Sequence, residues 1–213
     1  MTSAPTRTTY RHGDLRRALL GAGIDLARAG GPDAVVLREA TRRAGVVPNA
    51  AYRHFASRQE LLQAVRAHAL SQLAQAMEAE HDALDRSLPP ADYARATLGA
   101  VGSGYLRFAL TETGLFRTAF SPGDADPAVE LDADPAKAGH SGLNPFQLLA
   151  AALDRMVASG ALPVARREGA EYLAWSAVHG LALLLIDGPL RGAGPGQVKA
   201  LSGRLLEMVE KGL

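Results

Sequence analysis

The sequence predicts an all-α protein of about nine helices: an N-terminal three-helix unit followed by a larger helical domain. Apolar residues recur at helical spacing along most of the chain. No segment shows sustained alternation of apolar and polar residues, and no hairpin turn joins two strand-like runs. Glycines and prolines fall between the periodic segments, where helices end. With 213 residues, the chain is long enough for a small domain joined to a larger one.

The first predicted helix covers about Asp14 to Arg28. Leu15, Leu19 and Leu26 fall on one face of that helix. Gly30 and the glycine after it supply the left-handed stop that commonly ends a helix.

Two short helices follow, at about Leu37 to Arg43 and Pro48 to His54. Gly45 lies between them, and a short glycine-containing turn between two helices is typical of a helix-turn-helix. Pro48 suits the first turn of a helix, where its missing N–H group is no loss. The sequence therefore predicts a helix-turn-helix over about residues 36–55.

The rest of the chain continues as helices separated by proline and glycine. A long helix begins at Ser57, which has capping-box spacing to Glu60. Residues 121–141 are rich in proline, glycine and acids, which predicts a mobile loop, either a plain connector or a lid over a ligand site. The remaining predicted helices are Ser57 to Arg86, Ala91 to Thr111, Leu115 to Phe120, Asn144 to Gly160, Val164 to Asp187 and Pro195 to Lys211.

Charge divides the chain into two parts. Residues 1–66 contain eleven arginines and five acids, a balance of +6, whereas the remainder has twelve basic and seventeen acidic side chains, a balance of −5. A basic head on an acidic body indicates that the head meets a polyanion. We therefore predict a DNA-binding domain over 1–56 and a second domain over 57–213.

Several classes of protein are disfavoured. The chain has no cysteine, so disulfides and catalytic thiols are excluded. Its N-terminus is polar, unlike a signal peptide, and the longest apolar run, Leu181 to Ile186, is far below the ~20 residues of a membrane helix. We expect a soluble cytoplasmic protein that makes no contact with a membrane. No sequence motif indicates a cofactor or a metal ion, and we expect neither.

The second helix of the helix-turn-helix has the side chains that read duplex DNA. A helix fits the major groove, where Asn49 can pair with adenine and Arg53 with guanine. Tyr52, His54 and Arg58 are placed to contact phosphates, which fix register without reading sequence. The full set of predicted DNA-binding residues is Arg38, Val47, Pro48, Asn49, Ala50, Tyr52, Arg53, His54 and Arg58.

The run from Tyr10 to Leu62 resembles the DNA-binding domain of the TetR (tetracycline-repressor-like) family. The resemblance is carried by Ala44-Gly45-Val46, by Tyr52-Arg53-His54-Phe55 and by the six residues from Ser57. It implies a homodimeric, ligand-responsive transcriptional regulator, usually a repressor, that binds a palindromic operator in duplex DNA. Three positions depart from the family pattern: Val36 and Val47, where a capping hydroxyl is common, and Ala50, where a hydroxyl often contacts DNA.

A second resemblance lies in the C-terminal half. Trp175, His179 and Gly180 are similar to the Trp-His-Gly motif of one C-terminal domain class in this family. Two readings stay open: ordinary core aromatics, or an apolar pocket for an unknown small-molecule effector with His179 as its polar handle. The predicted pocket residues are Tyr105, Phe108, Phe116, Phe120, Phe146, Met156, Trp175 and His179.

Dimerisation is predicted through the helices at about 164–187 and 195–211. The first of these is apolar nearly all round after Trp175, so it must be buried on several sides. Pairing across a two-fold axis buries such a surface twice. Two rivals to a ligand-responsive regulator are a helical enzyme, disfavoured because no paired catalytic constellation is present, and a DNA-binding scaffold protein that senses no ligand.

Overall fold

A computed structural model describes residues 12–121 and 134–213, and these residues are helical without a strand, as predicted. They form nine α-helices and three 3₁₀ turns. The helices are α1 (His12–Gly30), α2 (Leu37–Arg43), α3 (Pro48–Ala51), α4 (Arg58–Asp82), α5 (Pro90–Thr111), α6 (Thr113–Ala119), α7 (Pro145–Ala158), α8 (Ala170–Ile186) and α9 (Pro195–Gly212). The 3₁₀ turns are Pro32–Ala34, Pro135–Lys137 and Val164–Arg166.

The turn between α2 and α3 is closed by a left-handed glycine. Gly45 has φ 67°. Its N–H donates to Arg42 O at 3.3 Å, and the N–H of Val46 donates to Thr41 O at 3.1 Å. This pair of bonds is a Schellman motif, which satisfies the last carbonyls of α2 and fixes the direction in which α3 leaves.

Helix α3 is shorter than predicted, ending at Ala51 instead of His54. The N–H groups of His54 and Phe55 both donate to the carbonyl of Ala51, at 2.8 and 2.9 Å, so residues 52–54 form a turn. Phe55 is fully buried. Phe55 lies four residues after the buried Ala51, and this turn keeps both side chains on the side that packs against the core.

The start of α8 also differs from the prediction. Helix α8 begins at Ala170, because Gly169 has φ 73° and interrupts the helical path predicted from Val164. Arg167 lies in the interrupted stretch, where it pairs with Asp154 at 2.7 Å and Glu171 at 2.8 Å. These bonds attach the chain to α7 before α8 begins.

Helices α4 and α7 begin with side-chain caps. Ser57 accepts a hydrogen bond from the N–H of Glu60 at 3.2 Å, while the Glu60 carboxylate accepts from Ala56 N at 2.6 Å, one residue before the predicted position. Asn144 and Gln147 form a complete capping box at the start of α7. Helix α4 ends at Asp82, four residues before the predicted Arg86, and with 25 residues it is about 37 Å long.

Residues 134–141 are anchored along α4 rather than forming the mobile loop predicted there. Ser71 Oγ donates to Ala138 O at 2.6 Å. The buried Glu78 carboxylate accepts from His140 N at 2.8 Å and from Ser141 N at 2.9 Å. Burial opposes ionisation of Glu78, yet the hydrogen bonds from Ser141 and His140 outweigh it and lower the pKa of the carboxyl group. Residues 122–133 of the predicted loop lie outside the described residues.

The N-terminal helices join the rest of the protein where α6 meets the end of α1. A Cβ atom on Gly114 would lie 2.3 Å from Ala27 O and 2.4 Å from Arg28 O. Arg28 Nε donates to Glu112 at 2.8 Å beside this contact. The approach of the two backbones therefore requires glycine at position 114.

We predict that Gly114→Ala lowers the free energy of unfolding by about 1–3 kcal/mol, because the added methyl group forces α6 away from α1. Gly21→Ala is the matched control: no atom lies within 4 Å of its Cβ position on α1, and alanine favours a helix by about 0.5–1 kcal/mol. Urea unfolding of both variants measures the two effects. Equal changes in the two variants would contradict the close packing of α6 on α1.

Candidate functional site

The side chains in and after α3 form a buried set and an exposed set. Ala51 and Phe55 are fully buried against the N-terminal core. Asn49, Tyr52 and Arg53 are exposed, Tyr52 by 57%. The predicted reading residues therefore lie together on the solvent side of a short, well-packed unit.

Arginines of α2 extend this exposed surface. Arg38, Arg42 and Arg43 are all exposed. Glu39 pairs with Arg42 at 2.7 Å and Arg43 at 3.3 Å, and the hydrogen bond from Arg42 is the main reason that the pKa of Glu39 falls to about 2. One carboxylate among three arginines leaves α2 with a positive charge beside α3.

Arg58 has a structural role in addition to the predicted phosphate contact. Its Nε donates to Val35 O and one terminal nitrogen donates to Pro32 O, both at 2.8 Å. The guanidinium group thereby attaches the first residue of α4 to the turn that precedes α2. Contact with a phosphate stays a prediction for the remaining donors of this side chain.

The other predicted DNA-binding residues surround α3. Val47 precedes the helix and is 69% exposed, while Pro48 begins it. Ala50 and His54 are half-buried, and His54 interacts within the fold. Val47, like Val36 before α2, makes no side-chain cap, so both short helices begin without the hydroxyl bond that the family resemblance leads one to expect.

A cavity of about 460 Å³ lies between α4, α5, α7, α8, α9 and the turn at residues 134–137. Its volume falls in the range of pockets that bind small organic molecules. Four of the eight predicted pocket residues line it: Tyr105, Phe120, Phe146 and Trp175. These four aromatic rings border the cavity, and binding of an effector there stays a prediction.

The other four predicted pocket residues do not line this cavity. Phe108, Phe116 and Met156 are buried in the core behind the wall. The Phe116 ring packs edge-on against Tyr105, with centroids 5.5 Å apart. His179 is half-buried and lies behind Tyr105 as well.

Trp175, Tyr105 and His179 form a hydrogen-bonded chain at the cavity wall. Trp175 Nε1 donates to the Tyr105 hydroxyl at 3.1 Å, and that hydroxyl lies 2.7 Å from His179 Nδ1. The hydroxyl has one proton and two lone pairs, so it accepts from Trp175 and either donates to Nδ1 or accepts from it, according to the tautomer of His179. Burial lowers the pKa of His179, in agreement with a neutral ring, and raises the pKa of Tyr105.

Part of the cavity wall, formed by α4 and by residues 134–137, was not predicted from the sequence. Gln63, Arg66, Ala67 and Leu70 line the cavity at helical spacing, and Arg66 is 9% exposed. The sequence offered one signal of this wall: Arg66 is a basic residue among polar and apolar residues that share a face of α4. Lys137 and Asp134 also line the cavity, which depends on how the chain folds back along α4.

Helices α8 and α9 keep apolar side chains on the protomer surface. Leu173, Leu184 and Met208 are 64%, 44% and 59% exposed. No atom of the described chain lies within 4 Å of a Cβ position on Gly180, which falls between the two leucines on α8. This surface matches the position of the predicted dimer interface.

The described residues contain neither a metal-binding cluster nor a membrane-spanning helix. No group of three or more histidine, aspartate or glutamate side chains in this part of the chain could hold a metal ion. None of the helices described above has the length and apolar character needed to cross a bilayer.

Comparison with known proteins identifies both halves of the chain. The family model for bacterial regulatory proteins, tetR family, matches residues 19–65, and the model for the tetracyclin repressor-like C-terminal domain matches residues 98–209. None of the curated proteins compared with the chain matches it.

Solved structures share the fold over almost the whole chain. A protein of unknown function from Rhodococcus sp. RHA1 is 27% identical with TM-score 0.73, covering 97% of this chain and 99% of that one. The TetR family transcriptional regulator PfmR from Thermus thermophilus is 20% identical with TM-score 0.58, over 92% and 98%. The Bacillus subtilis regulator FadR, in complex with stearoyl-CoA, is 14% identical with TM-score 0.66, also over 92% and 98%.

The half-buried position of His179 predicts a pH dependence of stability. Its pKa in the folded protein lies below the ordinary value of 6.5, so the unfolded chain binds the proton first as the pH falls. Stability is therefore complete above about pH 6.5 and decreases below it. We expect thermal unfolding between about pH 7.5 and 5 to show this loss, and His179→Gln to make the pH dependence shallower.

A nuclear magnetic resonance titration of the histidine ring protons gives the direct measurement, with His179→Gln assigning the signal. His68, whose pKa is also lowered by burial, provides an internal comparison. A His179 midpoint at or above 6.5 would show that the ring is not held neutral by the fold.

Proposed function

The chain belongs to the TetR family of bacterial transcriptional regulators, and from this premise we propose that it is a repressor released from its operator by a small, largely apolar effector. The observation that carries the proposal is that α4 contacts both the DNA-binding helices and the cavity. Arg58 of α4 holds the DNA-binding helices, and Gln63 to Leu70 of the same helix line the cavity. Occupancy of the cavity and the position of the DNA-binding surface are therefore connected by one rigid element.

We propose that residues 1–56 contact DNA and residues 57–213 bind the effector and the second subunit. Asn49 of α3 and Arg53 of the turn that follows it enter the major groove, where both read bases. Tyr52 and the arginines of α2 approach phosphates and set the register. The charge on α2 and the exposure of Tyr52 support this orientation. Because the proposed target is bacterial chromosomal DNA, we propose that the protein acts in the cytoplasm.

The proposed dimer uses the exposed surface of α8 and α9. Leu173, Gly180 and Leu184 lie along one stripe of α8, so a second copy related by a two-fold axis can cross at the glycine and cover both leucines. Two helix-turn-helix units presented in this way bind two half-sites, so the operator is expected to be palindromic.

The effector acts by favouring one position of α4 over another. Phe120 lines the cavity at the end of α6, and Gly114 at the beginning of α6 contacts α1. A ligand among these helices can therefore shift the DNA-binding helices through both α4 and α6. A tenfold loss of operator affinity needs about 1.4 kcal/mol of difference in ligand affinity between the two states.

Selection of bound duplexes from a random DNA pool tests the proposed function. We expect a palindromic motif with half-site centres about one helical turn apart, or a multiple of it. Recovery of no enriched sequence at low ionic strength would refute DNA recognition by this protein.

Substitutions on α3 and on the turn that follows it separate base reading from phosphate contact. Tyr52→Ala should weaken binding to all duplexes, whereas Asn49→Ala should change the base preferred at one operator position, since a bidentate contact contributes about 1–3 kcal/mol of discrimination. Arg95→Ala, at a half-buried arginine of α5 outside the DNA-binding helices, is the matched control and should change neither. If the Asn49→Ala protein selects the same motif as the unchanged protein, the residues that read bases lie elsewhere.

A charge on the α8 surface tests the dimer. Leu184→Glu should give monomers in sedimentation velocity, because a buried unpaired carboxylate is costly at an interface. Leu88→Glu replaces a leucine of similar exposure in the turn between α4 and α5 and should stay dimeric. A dimeric Leu184→Glu protein would place the interface on another surface.

A further inference from the structure

We infer that the effector is an elongated amphipathic anion whose negative headgroup binds beside Arg66 and Lys137 while its apolar chain extends between α5, α8 and α9. This inference rests on the proposed function, since it assigns the chemistry of the molecule that the cavity binds. Three properties of the cavity carry it: its length, the position of its charged groups, and the composition of its far end.

The cavity follows α4 for much of the helix. Gln63 and Met77 both line it, and they are fourteen residues apart on one helix. At 1.5 Å for each residue, that separation corresponds to about 20 Å. A volume of about 460 Å³ distributed over this length forms a narrow channel, which suits an extended chain better than a compact ring system.

Charged side chains lie at the end of the channel nearest the DNA-binding helices. Arg66 is on the first half of α4. The segment after Asp134 runs along α4 in the same direction, because Ala138 bonds to Ser71 and the residues after it bond farther along the helix. Asp134 and Lys137 therefore lie toward Arg66. Gln63, which is exposed, marks this end as the one open to solvent.

The far end of the channel is apolar. It is lined by side chains from α5, α8 and α9, and none of these is charged. They are Leu98, Val101, Val178, Leu206 and Val209. Charge and apolar surface are thus segregated along the length of the channel, as they are along a molecule with a charged head and a hydrocarbon tail.

The charged end favours an anion. Arg66 and Lys137 are positive, and Asp134, with Oδ2 4.0 Å from Lys137 Nζ, is negative, so these three groups sum to +1. Arg66 is buried and remains charged, because a guanidinium group is not deprotonated in proteins. Both cations also interact within the fold, and a planar guanidinium has five N–H donors, enough to keep an internal partner and bind a carboxylate.

Trp175 provides the measurement, since it is the one tryptophan in the chain and lines the cavity. The probes are decanoate, methyl decanoate and decyltrimethylammonium, each titrated below its micelle-forming concentration against the full-length protein. We expect decanoate to bind about tenfold more tightly than the ester, as a charge-assisted hydrogen bond should provide, and the cation to bind most weakly. Across hexanoate, octanoate and decanoate, affinity should rise roughly fourfold for each methylene group.

Variants locate the headgroup. Arg66→Gln and Lys137→Gln should each weaken decanoate binding by about tenfold and leave the ester within about twofold, because the ester has no charge to lose. Arg95→Gln is the matched control, a half-buried arginine that pairs with Asp92 and Glu210 and does not line the cavity. If Arg66→Gln does not fold, Lys137→Gln decides alone.

The outcomes separate this inference from the proposed function. Equal binding of ester and carboxylate, tighter binding of the cation, or unchanged selectivity in both variants would overturn the anionic effector while leaving an effector cavity in place. If no probe of any charge alters Trp175 fluorescence or releases selected DNA, the effector role of the cavity itself fails. Selection of DNA by the ligand-free protein tests the proposed DNA binding independently of this result.

Discussion

Close packing against α4 is the constraint on which the rest of the molecule depends. A Cβ atom on Gly104 would lie 2.5 Å from the Cα atom of Met77, so α5 approaches the α4 backbone at a distance that a larger residue prevents. On the N-terminal side, a Cβ on Gly23 would stand 3.0 Å from Val65 Cγ2. Helices of the DNA-binding unit and of the C-terminal body are thus seated on one helix. Because packed interiors do not deform continuously, a movement of α4 displaces the helices that pack on both of its sides.

The sequence predicts those features that arise from local interactions. The bounds of α2 are reproduced to the residue, and the start of α7 follows from its Asn144 cap. The end of α3 and the start of α8 differ, because residues 52–54 form a turn and the left-handed Gly169 interrupts the helix predicted from Val164, and a hydrophobic period reports neither feature. Hydrophobic patterning therefore identifies the elements but does not fix where α3 ends or where α8 begins.

The cavity lining was also predicted only in part, because tertiary contacts decide which side chains reach the cavity. Aromatic residues were identified as a group, yet Phe116 packs behind the wall and Phe120, one helical turn later, lines it, a difference set by how α6 lies on α5. The charged end of the channel required knowledge that residues 134–141 fold back onto α4 through Glu78. Such contacts join positions more than sixty residues apart, and no local signal in the sequence reports them.

The bonds around Arg58 indicate which part of the molecule moves as a unit. A hinge between Phe55 and α4 would let the helix-turn-helix swing freely, yet the Arg58 guanidinium holds the carbonyls of Pro32 and Val35, and Phe55 is fully buried in the same core. Breaking two charge-assisted hydrogen bonds costs about 1.5–3 kcal/mol each, comparable to the whole coupling energy expected between effector and operator. We therefore propose that the motion keeps these bonds and tilts the start of α4 together with α1, α2 and α3. In the proposed dimer, the spacing of the two DNA-binding surfaces then changes by a rigid-body rotation that begins at the cavity.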